Sequence, residues 1–284
     1  MKKVYLSSEL SQRTPEWHNI RMGKFTSSNI HKLFASATKK ERVEKALEEM
    51  GDYNTILEKV YLDVETKFAC KTLGFDFKKF KGEIYQPESS KIFSFCESLE
   101  NVHCFSDGAK THILEKAGEI IFPEPEMKGI NDAMIWGIDN EVFAKEAYIE
   151  RTGFEFVDVG FVQLSKDEGS SPDNFIGENG MAEYKCPGQT NHLKNIMKIK
   201  NSDDLFKVHP KYWYQVQHQM YCSDKDWCDW VSFHPNLIGA YKNLGLHIIR
   251  VEKDEAMFKQ FEKVVPLAVK LRDKYFKELT KNLG

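Results

Sequence analysis

Between Phe154 and Cys186 the chain abandons helical periodicity for strand periodicity, and this switch sets the fold. Phe154 to Leu164 is rich in Phe and Val and reads as a strand. Ser165 to Pro172 reads as a turn. Phe175 to Cys186 reads as a hairpin, two short strands joined through Gly177-Glu-Asn-Gly180. Helical patterns bracket this block. Asn131 to Thr152 is closed by Gly153, and further helical stretches cover His192–Ile199 and Tyr212–Tyr221. Trp227–Phe233 and His247–Val251 read as strands, and Glu255–Lys281 as a long amphipathic helix. Strands enclosed by helices can bury both faces only as a helix-covered sheet. The expectation is therefore an α/β chain with a mixed central β-sheet flanked by helices.

The N-terminal part is less regular. Thr26-Ser27-Ser28 stands before Ile30, Leu33 and Phe34 as a helix start with good N-cap residues. A helix is expected from about Arg42 to Phe68, and another from Ser106 to Ala117. The stretch around 70–128 reads as an insertion or substrate-facing layer within a single domain covering 1–284.

The bulk properties narrow the function classes. Hydrophobic residues make up 41% and charged residues 29% of 284, as in ordinary globular proteins. The formal net charge of −3 argues against nucleic-acid binding through overall charge, so any phosphate must be held by local Lys and Arg. Six cysteines, at 70, 96, 104, 186, 222 and 228, form no Cys-x-x-Cys pair. This pattern suggests neither a zinc ribbon nor an iron–sulfur cluster, disfavours an iron–sulfur nuclease and fits reduced thiols in a cytoplasmic protein. No apolar leader opens the chain and no run of eighteen apolar residues occurs, so no membrane association is expected.

The chemistry concentrates at Ser171-Pro172-Asp173 and Glu183-Tyr184-Lys185. On a strand Glu183 and Lys185 share a face, and a hairpin can return the chain so that Asp173 lies beside Glu183. Two carboxylates there make a hard, oxygen-rich site suited to Mg²⁺ or Mn²⁺. An adjacent ammonium can orient a nucleophile and stabilise developing charge, which phosphodiester hydrolysis requires. A plain surface hairpin with a Glu–Lys pair would show the same spacing. The apolar run Met181-Ala-Glu-Tyr-Lys-Cys186 favours the site, because a carboxylate seldom lies on such a strand without a partner.

Three further positions carry paired readings. Glu141 shares a helical face with Ala144 and Tyr148, and would face inward or simply favour the helix dipole. Gln217 is the lone amide on the face Trp213, Val216, Gln217, Met220, with Gln215, His218 and Gln219 expected toward water; it serves a structural hydrogen bond or the site. Arg21 beside Thr26, Ser27 and Ser28 is a phosphate-binding arrangement or an ordinary capped helix start.

Taken in order, Trp17-His-Asn-Ile-Arg21-Met-Gly23 with Thr26-Ser27-Ser28, Trp136-Gly137 leading to Glu141, Ser171-Pro172-Asp173, Glu183-Tyr-Lys185-Cys-Pro187 and Gln215-Val-Gln217 resemble the lambda exonuclease family. This is the YqaJ-type viral recombinase branch of the PD-(D/E)XK nucleases. The resemblance covers Trp17 to Phe34 and Trp136 through the C-terminal helix, but not 35–130.

It implies a restriction-endonuclease-like core and Mg²⁺-dependent 5′-to-3′ hydrolysis of linear double-stranded DNA, leaving a 3′ single-stranded tail for phage-type recombination. Asp173 and Glu183 would bind metal, with the Tyr184 backbone carbonyl and Glu141 joining them. Lys185 would position and activate water, and Gln217 would support the centre. Arg21, Thr26 and Ser28 would receive the 5′-phosphate, and Met134 would wedge the duplex end. A trimeric ring and a single-strand annealing protein as partner are also implied. Lys78, Lys79, Lys81, Lys194 and Lys198 could line a channel or be solvated. A structure-specific or restriction-like endonuclease and a non-catalytic DNA-binding scaffold stand as alternatives.

Overall fold

The computed structural model describes residues 2–37, 104–122, 124, 129 and 131–281. The helix expected over Arg42–Phe68, lysines 78, 79 and 81, and most of the stretch 70–128 lie outside the described residues. Met1–His31 with Ile113–Gly284 form one compact unit, and Lys32–His112 a second. The sheet and the candidate site belong to the first.

In chain order the described elements are β1 (Lys3–Leu6), α1 (Pro15–Arg21), β2 (Phe25–Thr26), a 3₁₀ segment (Ser27–Phe34), α2 (Asp107–Ile121), α3 (Asp132–Thr152), β3 (Phe156–Gln163), β4 (Glu168–Ser170), β5 (Asn174–Ile176) and β6 (Gly180–Lys185). They continue with α4 (Gln189–Lys198), α5 (Ser202–Val208), α6 (Pro210–Ser223), β7 (Trp227–Phe233), a 3₁₀ segment (Gly239–Gly245), β8 (Leu246–Glu252) and α7 (Glu255–Thr280). The strands form one sheet in the order β2-β4-β3-β5-β6-β7-β8, with β1 also paired to β3. Pairing is parallel at β2–β4 and β6–β7 and antiparallel elsewhere. A mixed sheet covered by helices is the architecture expected from the sequence.

The alternation along β6 decides what faces what. Ala182 and Tyr184 pack with Ala144 and Tyr148 of α3, Val231 and Phe233 of β7, and Leu246. Met181 points the other way, into Val216 and Met220 of α6, Leu205, Trp230 and Ile249. Glu183 and Lys185 follow Met181 by the two-residue period, so they project toward α6. Both neighbours of Glu183 are core residues. The side chain is thereby fixed at the sheet surface beneath a helix, where truncating Val216 or Met220 would cost about 2–5 kcal/mol.

Two local expectations change. Ser165–Pro172 is not all turn, because Glu168–Ser170 forms β4, with ladder partners β3 and β2. Three residues are too short for a period to show. Thr26-Ser27-Ser28 does not cap an α-helix. Thr26 ends β2, and Ser27 opens a 3₁₀ segment with its hydroxyl 2.8 Å from His218 Nδ1. The genuine capped start is α1, where the Thr14 side chain accepts from the Trp17 N–H and Pro15 occupies the first turn.

Gly160 lets the N-terminal segment lie against β3. A Cβ there would sit 1.8 Å from the Leu10 carbonyl oxygen. The approach is secured by Gln12, whose amide donates to the carbonyls of Val159 at 2.8 Å and Pro172 at 3.0 Å. This contact brings α1 to the edge of the site.

Candidate active site

A cavity of about 690 Å³ is bordered by Arg21, Ser28, Met134, Glu141, Asp173, Glu183, Tyr184 and Lys185, together with Arg13, Ser27, Ser171, Gln215 and Gln219. Most residues predicted for the site therefore do converge. Thr26 and Gln217 are not on its wall.

The carboxylate end is built by β5, β6 and α6. The β5–β6 register pairs Asn174 with Ala182, and one step further places Asp173 opposite Glu183. Asp173 Oδ2 accepts the Tyr184 backbone N–H at 2.8 Å. Lys185 Nζ meets Glu183 Oε1 at 2.5 Å and lies 5.0 Å from the centre of the Tyr212 ring. Two amides of α6 hold Glu183 from above: Gln215 Nε2 donates to Oε1 at 2.6 Å and Gln219 Nε2 to Oε2 at 2.7 Å. Tyr212, Gln215 and Gln219 stand at i, i+3 and i+7, one helical face.

Burial, then the neighbouring Glu183 and Glu141, push the Asp173 carboxyl well above its ordinary value. Burial alone would lower the Lys185 ammonium, but Glu183 and Asp173 outweigh it and raise it, so Lys185 stays cationic. Asp173 and Glu183 offer carboxylate oxygens on adjacent strands, an all-oxygen donor set that could hold a hard divalent cation. Glu141 stands differently from its expected role. Arg13 Nη2 binds Glu141 Oε2 at 2.5 Å, and Lys145 lies 3.5 Å from Oε1. Among the described residues, the three His/Cys/Asp/Glu ligand atoms within 4.8 Å of one another belong to Glu168, His218 and Cys222, not to Asp173, Glu183 and Glu141.

Arg21 dominates the other end. Its guanidinium stacks over Trp17 with its central carbon 3.9 Å from the ring centroid. Nη1 donates to Ser171 Oγ at 2.8 Å, and Trp17 Nε1 donates to the same oxygen at 3.0 Å. Nη2 donates to Thr26 Oγ1 at 3.3 Å. Burial pulls the Arg21 guanidinium down to about 10 against the opposing pull of Glu119. Thr26 is 3% exposed and serves to orient Arg21 rather than to line the cavity. Ser28 lies on the wall, and Met134, half exposed near the start of α3, lines the rim. Lys194 and Lys198 are exposed on α4.

Gln217 is a correction. Its Nε2 donates to the Glu252 carbonyl at 2.8 Å and its Oε1 accepts the Asp254 N–H at 2.9 Å. It ties α6 to the start of α7, the structural role that its buried face allowed. Gln215, His218 and Gln219, expected toward water, are all buried. The missed residues are Gln215 and Gln219 on Glu183, Ser171 on Arg21, and Arg13 on Glu141. Helical phase from Tyr212 could have found the two glutamines. Nothing local could have found Arg13, whose partner is 128 residues away.

Residues 105–226 match the model of the YqaJ-like viral recombinase domain. No curated protein sequence matches the chain. The fold is similar to the crystal structure of an alkaline exonuclease (LHK-Exo) from Laribacter hongkongensis, with 20% identity and a TM-score of 0.61 over 95% of this chain and 98% of that one. It is similar also to LHK-Exo in complex with dAMP, with 21% identity, a TM-score of 0.62 and the same coverage. At that identity the likeness speaks for the fold. The motif order of the sequence agrees with this match, and residues 105–226 are similar to the YqaJ-like viral recombinase domain.

Proposed function

We propose that this protein is a divalent-metal-dependent exodeoxyribonuclease that hydrolyses one strand of linear duplex DNA from its 5′ end. The observation that carries the reading is one cavity with two chemically opposite ends. Asp173, Glu183 and Lys185 meet at one end, and Arg21, stacked on Trp17 and bonded to Ser171, stands at the other. Gln219 bridges them, donating to Glu183 Oε2 at 2.7 Å and to the Ser171 carbonyl at 3.2 Å. The structural neighbour named an alkaline exonuclease, seen also with dAMP, supports the same class of substrate.

In this reading Asp173, Glu183 and the Tyr184 carbonyl hold Mg²⁺, with Mn²⁺ a possible substitute. The bound ion supplies Lewis-acid stabilisation of the phosphoryl oxygens and a more acidic water. Lys185, kept cationic by its carboxylates, orients the attacking water and stabilises charge developing on the scissile phosphate. Gln215 and Gln219 fix the Glu183 carboxylate. Arg21, Ser28 and Ser171 receive the terminal 5′-phosphate, with Thr26 and Trp17 orienting the guanidinium. Glu141, paired with Arg13 on the same cavity wall, joins the metal site directly or through water. By the family resemblance, Met134 on the cavity rim would wedge the duplex end. By the same resemblance, a trimeric ring around DNA and a single-strand annealing partner follow, in a cytoplasmic setting. No helix among the described residues is long and apolar enough to cross a membrane.

The test compares 5′-phosphorylated linear duplex, 5′-hydroxyl linear duplex and closed circular DNA, each with and without Mg²⁺. Metal-dependent loss of linear DNA alone, faster with the phosphate, is expected. Cutting of the circle would favour a restriction-like endonuclease, and no cleavage under any condition a DNA-binding scaffold.

A further inference from the structure

Among the described residues on the cavity wall, the lysines and arginines are Arg13, Arg21 and Lys185. Lys185 is tied to Glu183, and the Arg21 guanidinium donates to Ser171 and Thr26. Arg13 is the remaining cation. Its backbone stands at φ +69°. Glycine adopts this left-handed conformation freely, whereas an arginine is held there against its preference. Among the described non-glycine residues Asp224 shares it, and there the reason is structural, because Asp224 closes α6 as its C-cap. Arg13 closes no helix. It lies in the turn ahead of α1, next to the N-cap Thr14.

That turn is pinned on both sides of Arg13. Gln12 donates to the carbonyls of Val159 and Pro172, and the Thr14 hydroxyl donates to the Ser11 carbonyl at 2.9 Å. Strain upheld by fixed neighbours at the edge of a cavity marks the side chain it presents. The Arg13 side chain is nearly half exposed, and among the described residues its one hydrogen-bond partner is Glu141, met through Nη2 alone. Ion pairs that solvent reaches are weak, so this one is readily exchanged. Glu141 would keep a cation after the exchange, since Lys145 Nζ lies 3.5 Å from its Oε1. A phosphate offers two oxygens to the planar guanidinium fork, where Glu141 engages one arm.

We propose that Arg13 is a DNA-anchoring residue that exchanges Glu141 for an internal phosphodiester of the bound duplex. The inference rests on the DNA-binding reading of the cavity. Its division of labour is simple. Arg21 receives a terminal phosphate, which only some DNA ends carry, while Arg13 meets a backbone phosphate that every duplex offers. In a chain of net charge −3, such single cations must supply the attraction that overall charge does not.

The experiment measures Kd for hairpin duplexes ending in 5′-phosphate or 5′-hydroxyl, without divalent metal, over a series of salt concentrations. Arg13→Gly is the variant of choice, because glycine suits φ +69° and the turn keeps its shape. It should weaken both duplexes about tenfold, the worth of one hydrogen bond to a charged group. The dependence of log Kd on log salt should become shallower by about 0.9, the value of one phosphate contact. Glu141→Gln releases Arg13 and should tighten binding severalfold, with a smaller gain when Arg13→Gly is also present. A gain as large or larger in the Arg13→Gly background would mean that Arg13 only screens Glu141, and overturns the exchange. Native affinity and salt dependence in Arg13→Gly overturn the anchor and leave the nuclease reading standing. A loss confined to the 5′-phosphate duplex also overturns it, by placing Arg13 in the terminal pocket. A native protein that binds neither duplex overturns the DNA-binding reading, and the anchor with it.

Discussion

The Gln219 amide donates to the Glu183 carboxylate at 2.7 Å, and Gln215 reaches the other oxygen of the same carboxylate at 2.6 Å. Glu183 is thus aimed by α6 as much as by its own strand. The helix two residues away from these contacts does something else, since Gln217 bonds the backbone of Glu252 and Asp254. The three glutamines should separate in mutagenesis. Gln219→Ala and Gln215→Ala are expected to lower kcat about 10-fold or more with modest loss of melting temperature. Gln217→Ala should cost roughly 1–3 kcal/mol of stability and leave kcat at permissive temperature near native. Melting curves and single-turnover rates on linear duplex check both, and a selective kcat loss in Gln217→Ala would return it to the site.

Lys185 carries the sharpest expected effect on chemistry. Glu183 and Asp173 hold it cationic, so removing it removes charge stabilisation rather than a base. Lys185→Ala should reduce cleavage on the order of 10²–10³-fold or more while duplex binding persists. Gel-shift and rate measurements on one preparation separate the two. Cleavage retained in this variant would show that the centre lies elsewhere.

Asp173 should limit stability in the metal-free protein. Its carboxyl is raised by burial and by Glu183 and Glu141, so the folded state favours the protonated form. That stability is present below the ordinary carboxyl range and is lost as pH rises through the raised value. Asp173→Asn should therefore melt higher than the native protein at pH 8 without metal, with a gap that narrows toward pH 4. A few degrees is the expected scale, since each kcal/mol shifts melting by about 2–4 °C in a chain of this size. Added Mg²⁺ should stabilise the native protein, by about 2.7 kcal/mol at 100 times Kd, and leave the variant unmoved. Calorimetry across pH with and without Mg²⁺ reads all three effects; equal stabilisation of both proteins by Mg²⁺ would remove Asp173 from the metal end.

Arg21 should govern which ends are accepted. Arg21→Ala is expected to weaken binding of 5′-phosphorylated duplex about 10-fold to 100-fold and to leave 5′-hydroxyl duplex nearly unchanged. An equal loss on both ends would make Arg21 a general backbone contact.

Much of this was legible in the chain because period and capping are local. The β5–β6 hairpin, α3 with its Gly153 stop, and the placement of Glu183 and Lys185 on one strand face all follow from spacing. What was not legible depends on distant pairing. β4 is three residues long and is defined by its ladder partners. Gln12 reaches Pro172 across 160 residues and Arg13 reaches Glu141 across 128. The Gln217 assignment failed for a different reason. Its buried face was identified correctly, but burial alone does not say which neighbour an amide meets, and the face one turn around carries Gln215 and Gln219 onto Glu183.

The polarity of strand loss tests the central claim most directly. A linear duplex carrying distinct labels at the 5′ and 3′ ends of one strand, incubated with the native protein and Mg²⁺, should release the 5′ label first as mononucleotide while the 3′ label stays in long product. Release of the 3′ label first, or internal fragments preceding either, would contradict an exonuclease that starts from a 5′ end.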